Sequence, residues 1–218
     1  MTVVSVAAPC NGSGKTSLLI SIASTFPQEF SVAKFTTIYR EEQFCPAKDH
    51  DCACHRLEGK YLICTDPDVL RQPDTDTGKL SATTVRAVYW CIARLEGYPE
   101  MLADFREHCV NDTMCLLMEG NTIAQFLTPH LRLFIVNPWL PLSWWKHHSD
   151  EFLEKADFVI VNSYRDASSR AVEWPPNLVS ALRRVESKQV NMENGRRLDL
   201  WQDQRLFQAI SALLGSHN

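Results

Sequence analysis

The stretch Pro9-Cys-Asn-Gly-Ser-Gly-Lys-Thr-Ser17 sets two glycines, a lysine and a hydroxyl residue in immediate succession, directly after the apolar run Thr2 to Ala8 and before Leu18-Leu-Ile-Ser-Ile22. Residues of these types at this spacing suit the grip of a phosphate chain. Glycines let the backbone come close to an anion, a lysine reaches the terminal phosphates as a point charge, and the next hydroxyl can ligate magnesium. Those roles fall to Gly12, Gly14, Lys15 and Thr16, with Asn11, Ser13 and Ser17 completing the loop. The pattern G-x-x-x-x-G-K-[ST] would put its first glycine at residue 9, where this chain has Pro9. Proline fixes φ and has no N–H, so it serves there only if that amide is not a phosphate donor.

Phosphoryl chemistry also needs acids near the magnesium, commonly at the end of an apolar strand. "MCLLMEG" supplies Glu119, followed by Gly120, as the first candidate for a magnesium or water-orienting carboxylate. "PDTDTG" supplies Asp74, a candidate magnesium ligand, and Asp76, a candidate for water positioning. Asn162 ends "FVIVN", where a strand-end amide could hydrogen-bond a purine. The guanine-reading pattern Asn-Lys-x-Asp is not met, because Arg165 stands where the aspartate belongs, so the base is left open between ATP and GTP. Lys34, inside the second apolar strand, receives no role.

A second cluster is Cys45-x6-Cys52-x-Cys54-x9-Cys64 with His50 and His55 interleaved. Thiolates and imidazoles this close could hold zinc or an iron–sulfur cluster, although the spacing matches no standard pattern; free thiols or a redox pair is the alternative. Cys91, Cys109 and Cys115 lie in apolar runs and are expected in the core, while Cys10 sits inside the loop within reach of thiol reagents.

The elements that must position these groups alternate along the chain. Strands are expected at Thr2 to Ala8, Phe30 to Thr37, Lys60 to Cys64, Ala87 to Ala93, Thr113 to Met118, Leu131 to Val136 and Phe158 to Val161, with an edge strand at Gln189 to Met192. Helices are expected at Lys15 to Phe26, Tyr98 to Cys109, Ser143 to Ala156, Asn177 to Val185 and Leu200 to Leu214. Trp144-Trp145 and His147-His148 would then divide between the packed and solvated faces of one amphipathic helix. Asp66 to Lys79 reads as a polar loop, and about 38–65 as a Cys-rich insertion. Continuous apolar strands separated by helices predict an α/β fold of three layers, a mostly parallel central sheet with helices on both faces, as a single domain over 1–218. Ligands of such sheets bind at the carboxyl ends of the strands, where the loop and the strand-end acids lie.

With 218 residues, 45% of them hydrophobic, the chain can bury a full core, and a net charge of −4 argues against nucleic acid as a partner. No run approaches the ~18 apolar residues of a membrane span, and the N-terminus reads as a strand rather than a leader, so a cytoplasmic protein is expected.

The order of the loop, "AKFTT", "PDTDTGK", "LLMEGN" and "FVIVNS" resembles the family of molybdopterin-guanine dinucleotide biosynthesis protein B, one of the P-loop GTPases and ATPases that include metallochaperones and dethiobiotin synthetase. The likeness spans about residues 1–165. It implies a P-loop NTPase in which Lys15 and Thr16 meet phosphate and magnesium and Glu119 is the strand-end acid, acting as an accessory factor in metallocofactor or molybdopterin biosynthesis, with a metalloenzyme or cofactor-biosynthesis protein as partner and a homodimer as a possible assembly. Pro9 and the Cys-rich insertion depart from that pattern. The lysine that dimeric ATPases of this class carry in the loop is here Cys10. Three functions are therefore expected in competition: a slow, magnesium-dependent NTP hydrolase, a small-molecule kinase, and a non-enzymatic nucleotide-binding module.

Overall fold

Thr2–Ala7 (β1) is buried at every position, and its valines suit a strand covered on both faces. It lies in the middle of an eight-stranded sheet of order β3-β4-β2-β5-β1-β6-β7-β8, where β2 is Phe30–Ile38, β3 Tyr61–Cys64, β4 Val88–Arg94, β5 Cys115–Glu119, β6 Leu131–Val136, β7 Phe158–Asn162 and β8 Gln189–Met192. The computed structural model describes residues 1–38, 57–110, 115–146, 149–163, 176–192 and 203–215. Every pairing among these strands is parallel except β3 with β4 at one edge. The protein is thus an α/β fold with a mostly parallel sheet, as its apolar runs predict.

Alternation along β1 assigns the two layers. Val4 and Val6 pack with Leu18, Leu19 and Ile22 of helix α1 (Lys15–Thr25) and with Leu206 and Ile210 of the last helix, Gln204–Gly215. Each of those α1 side chains is fully withdrawn from water, worth about 1.5–3 kcal/mol apiece before entropy. The opposite face of the sheet is covered by Tyr98, Met101 and Phe105 of Tyr98–His108, and by Leu153 of Ser149–Lys155 and Leu178 and Leu182 of Pro176–Arg184.

Two expectations need correction. Asp66 to Lys79 is not a loop: it folds into two short helices, α2 (Pro67–Leu70) and α3 (Asp76–Ser81). Each begins at a side chain that satisfies a first-turn amide, Asp66 accepting from Asp68 N at 3.0 Å and Thr75 Oγ1 from Gly78 N at 2.9 Å. Gly78 is required there, since a Cβ would lie 2.0 Å from the Gln72 carbonyl. The helix expected over Ser143 to Ala156 is shorter. Leu142–Trp144 is a single 3-10 turn following Pro141, and the helix spans only Ser149–Lys155. Trp145 packs against the core while Trp144 stands 59% exposed; His147 and His148 lie outside the described residues, as do residues 39–56 and the expected start of the last helix at Leu200.

The topology also locates the crevice. From β1 the chain crosses to β2 on one side, whereas β6 and β7 lie on the other. The loop after β1 therefore opens at a point where the strand order reverses, the place where open α/β sheets bind ligands. Register brings the chemistry level: Glu119 pairs with Val6 of β1 and with Lys34 of β2.

Candidate functional site

The loop from Ala8 to Gly14 is held at three points. Asn121, just beyond β5, receives the Ala8 amide on Oδ1 at 3.2 Å and donates from Nδ2 to the Ala8 carbonyl at 2.8 Å. Pro9 is buried, and its carbonyl accepts the Lys146 amide at 2.7 Å; with no N–H to satisfy, proline fits a position whose one polar group is already used. Ser13, fully buried, donates its hydroxyl to the Cys10 carbonyl at 2.9 Å, and its own carbonyl accepts from Asn162 Nδ2 at 3.0 Å.

Gly12 and Gly14 have φ of 79° and 107°, a conformation that L side chains rarely adopt. At Gly14 space forbids a side chain as well, because a Cβ would lie 2.6 Å from Asn162 Nδ2. Gly14 precedes α1 directly. Among the described residues no side chain caps that helix, and its first turn holds no acid. Its opening amides are thus left for an anion, with the positive end of the helix dipole behind them.

Five further groups converge beside those amides. Lys15 Nζ lies 3.9 Å from Glu119 Oε1, the two side chains being 14% and 6% exposed. Thr16 Oγ1 donates to Glu119 Oε2 at 3.5 Å, and Asp76, at the first position of α3, lies beside the same hydroxyl. Lys34 Nζ donates to Asp76 Oδ2 at 2.5 Å. Burial pushes the Lys15 ammonium below its usual range; Glu119 opposes this, while Lys146 and Lys34 add to it. Burial likewise raises the Glu119 carboxyl, against the pull of Lys15 and Lys34. At Asp76 burial also acts upward, but the charge and hydrogen bond of Lys34, with Thr16 and Lys79, outweigh it and hold the carboxyl below the ordinary carboxylate range. Two ammoniums and two carboxylates so neutralise one another around a single hydroxyl.

Of the residues singled out in the sequence, Lys15, Thr16, Asp76 and Glu119 are brought together. Asn11 and Gly12 lie exposed at the crest of the loop, and Ser17, half-buried, uses its carbonyl to accept from Ser21 Oγ at 2.9 Å. Asp74 is exposed with φ 64° and joins no ion pair among the described residues. Asn162 is 2% exposed and its amide braces the loop; that burial turns it toward the Ser13 carbonyl, not outward as a purine contact requires. Cys64 points into an apolar cluster with Val69, Leu70 and Ile92, while Cys45, Cys52 and Cys54 lie outside the described residues. Among the described residues no three His, Cys, Asp or Glu side chains group as a metal site. Cys91 and Cys115 are buried as expected and Cys109 is half-buried. Cys10, also buried, has its thiol 3.5 Å from Ser13 Oγ.

Sequence reasoning missed two residues. Lys34 reads in the sequence as an interruption in an apolar strand, and only its register opposite Glu119 reveals its place. Asn121 follows the Glu119-Gly120 pair with no signal of its own, and its partner is 113 residues away.

No family model matches the chain, and no curated protein matches it. Among solved structures it is similar to the MinC:MinD cell division protein complex of Aquifex aeolicus, at 16% identity and a TM-score of 0.36, covering 99% of this chain and 95% of that one. Among the described residues no helix is long and apolar enough to cross a membrane.

Proposed function

We propose that the protein binds a nucleoside triphosphate with magnesium and slowly hydrolyses its terminal phosphoanhydride. The observation that carries this reading is the uncapped start of α1, preceded by two glycines of positive φ and flanked by Lys15, Thr16 and Glu119. Backbone amides of the loop and the Lys15 ammonium hold the phosphate chain, and the ammonium offsets charge that gathers on the bridging oxygen as the bond to the terminal phosphorus breaks. The Glu119 carboxyl, buried and raised, is placed to orient a water whose oxygen forms the new bond to phosphorus, its proton passing to the released phosphate. Thr16 Oγ1, Asp76 and Glu119 set a hydroxyl and two carboxylates side by side, hard oxygen donors that would hold magnesium. When bound, that ion supplies charge neutralisation of the phosphates.

The finer reading, an accessory factor of metallocofactor or molybdopterin biosynthesis acting on a client protein, is supported by the order of the sequence motifs. A second reading, phosphoryl transfer to a small molecule, is favoured by the Lys34–Asp76 pair, which is part-exposed beside the same hydroxyl. Phosphate release measured with and without added acceptors separates the two: turnover without an acceptor supports hydrolysis, and turnover only with one supports transfer. Lys15→Ala should weaken triphosphate binding by at least tenfold in calorimetry; unchanged affinity contradicts the whole assignment.

A further inference from the structure

We propose that the base of the bound nucleotide stacks on the indole of Trp144, in a platform carried by the segment 137–146; this rests on the nucleotide reading above. Glu119 and Lys34 fix the terminal-phosphate end on the β5 and β2 side of β1. A phosphate chain laid across the start of α1 with its terminus there must send its nucleoside the other way, over the carboxyl ends of β6 and β7.

That side is walled by residues 137–146, which are tied to the loop rather than merely near it. The Lys146 amide donates to Pro9, and Leu140 Cδ1 would be 3.8 Å from a Cβ on Gly12. Trp139 donates from its backbone amide to Asn137 Oδ1 at 3.0 Å and from Nε1 to the Ser163 carbonyl at 3.2 Å, next to the Asn162 that braces Ser13. Pro138 and Pro141 restrict the backbone between them, so the wall loses little entropy on binding. Its most exposed large apolar side chain is Trp144, at 59%, two residues from the Pro9 contact. An indole left in water on the segment that is tied to the Pro9 carbonyl gains by covering its face with another flat ring, and stacking is tolerant of which base does so. This accounts for a site that holds a purine without an Asn-Lys-x-Asp signature, and it gives Asn162 no base to read.

The test titrates magnesium ATP, magnesium GTP and inorganic tripolyphosphate into the full chain and into Trp144→Ala and Trp144→Phe. Expected is an affinity loss of about tenfold for both nucleotides in Trp144→Ala, unchanged tripolyphosphate affinity, and recovery of most of the loss in Trp144→Phe. Nucleotide affinities within twofold of the parent, or an equal loss for tripolyphosphate, overturn the platform. If the parent binds neither nucleotides nor tripolyphosphate, the nucleotide reading itself fails and this inference with it.

Discussion

Lys34 on β2 and Asp76 on α3 are 42 residues apart in the chain, yet their side chains meet at 2.5 Å, beside the Thr16 hydroxyl. The pair joins the second strand to the hydroxyl that the loop offers to a ligand. Because the folded carboxyl of Asp76 lies below its unfolded value, it binds fewer protons in the native state than in the unfolded chain across that interval. Its contribution to stability is therefore full above the ordinary carboxylate range and lost as pH falls through the folded value. Asp76→Asn should lower the urea midpoint at pH 7, with a gap that narrows steadily toward pH 3. A gap of constant size over that range would show that the ion pair does not contribute.

Lys15 gives the opposite limb of the pH scale. Burial lowers its ammonium below the ordinary lysine range, so in the free protein it sheds its proton earlier than an exposed lysine does. Triphosphate affinity should fall as pH rises toward 10, because the neutral amine no longer balances the phosphates. A guanidinium keeps its charge throughout that range. Calorimetry from pH 7 to pH 10 should show a declining affinity for the parent and a flatter profile for Lys15→Arg, weaker at neutral pH because the fork is larger. Parallel decline in both proteins would place the titration elsewhere.

How far the sequence could be read follows from what each feature depends on. The strands of the sheet were legible because burial on both faces forces continuous apolar runs, and Gly12, Gly14, Lys15 and Thr16 were legible because phosphate binding by backbone amides constrains neighbouring residues. Lys34 was not, since its meaning lies in register with Glu119 across strands 85 positions apart in sequence. Asp74 and Asp76 could not be ranked from composition. Thr75 decides between them by capping α3, which fixes Asp76 in the first turn facing Thr16 and leaves Asp74 outside the helix at a positive φ. The helix over Ser143 to Ala156 was overextended because a period of apolar residues does not reveal a 3-10 turn that ends before the helix begins.

Asn121 fastens the mouth of the loop to β5 through both polar atoms of its amide. Asn121→Ala leaves the Ala8 N–H and carbonyl without those partners in a part-buried place, at a cost of about 1–3 kcal/mol. Asn121→Asp keeps an acceptor for the amide but sets a carboxylate against the Ala8 carbonyl, so it should be more damaging than Asn121→Ala at pH 7 and recover part of its deficit at pH 4, where a protonated carboxyl can donate. Thermal midpoints at the two pH values check this order. Equal midpoints for all three proteins would mean that the loop does not need the clasp.

Gly14 and Asn162 occupy one space from two sides. Gly14→Ala meets two obstacles: a φ of 107° that an alanine resists, and a Cβ 2.6 Å from Asn162 Nδ2. Asn162→Ala removes the second obstacle but strips the Ser13 carbonyl of its donor, a loss of about 1–3 kcal/mol. Each single variant should be destabilised and bind triphosphate poorly. The double variant should be less destabilised than the sum of the two, because the clash is counted once and vanishes with the amide, while the backbone strain persists. A double-mutant cycle from urea unfolding measures the difference directly. Strict additivity would mean that the two residues do not press on each other, and the tight seat of the loop on β7 would have to be given up.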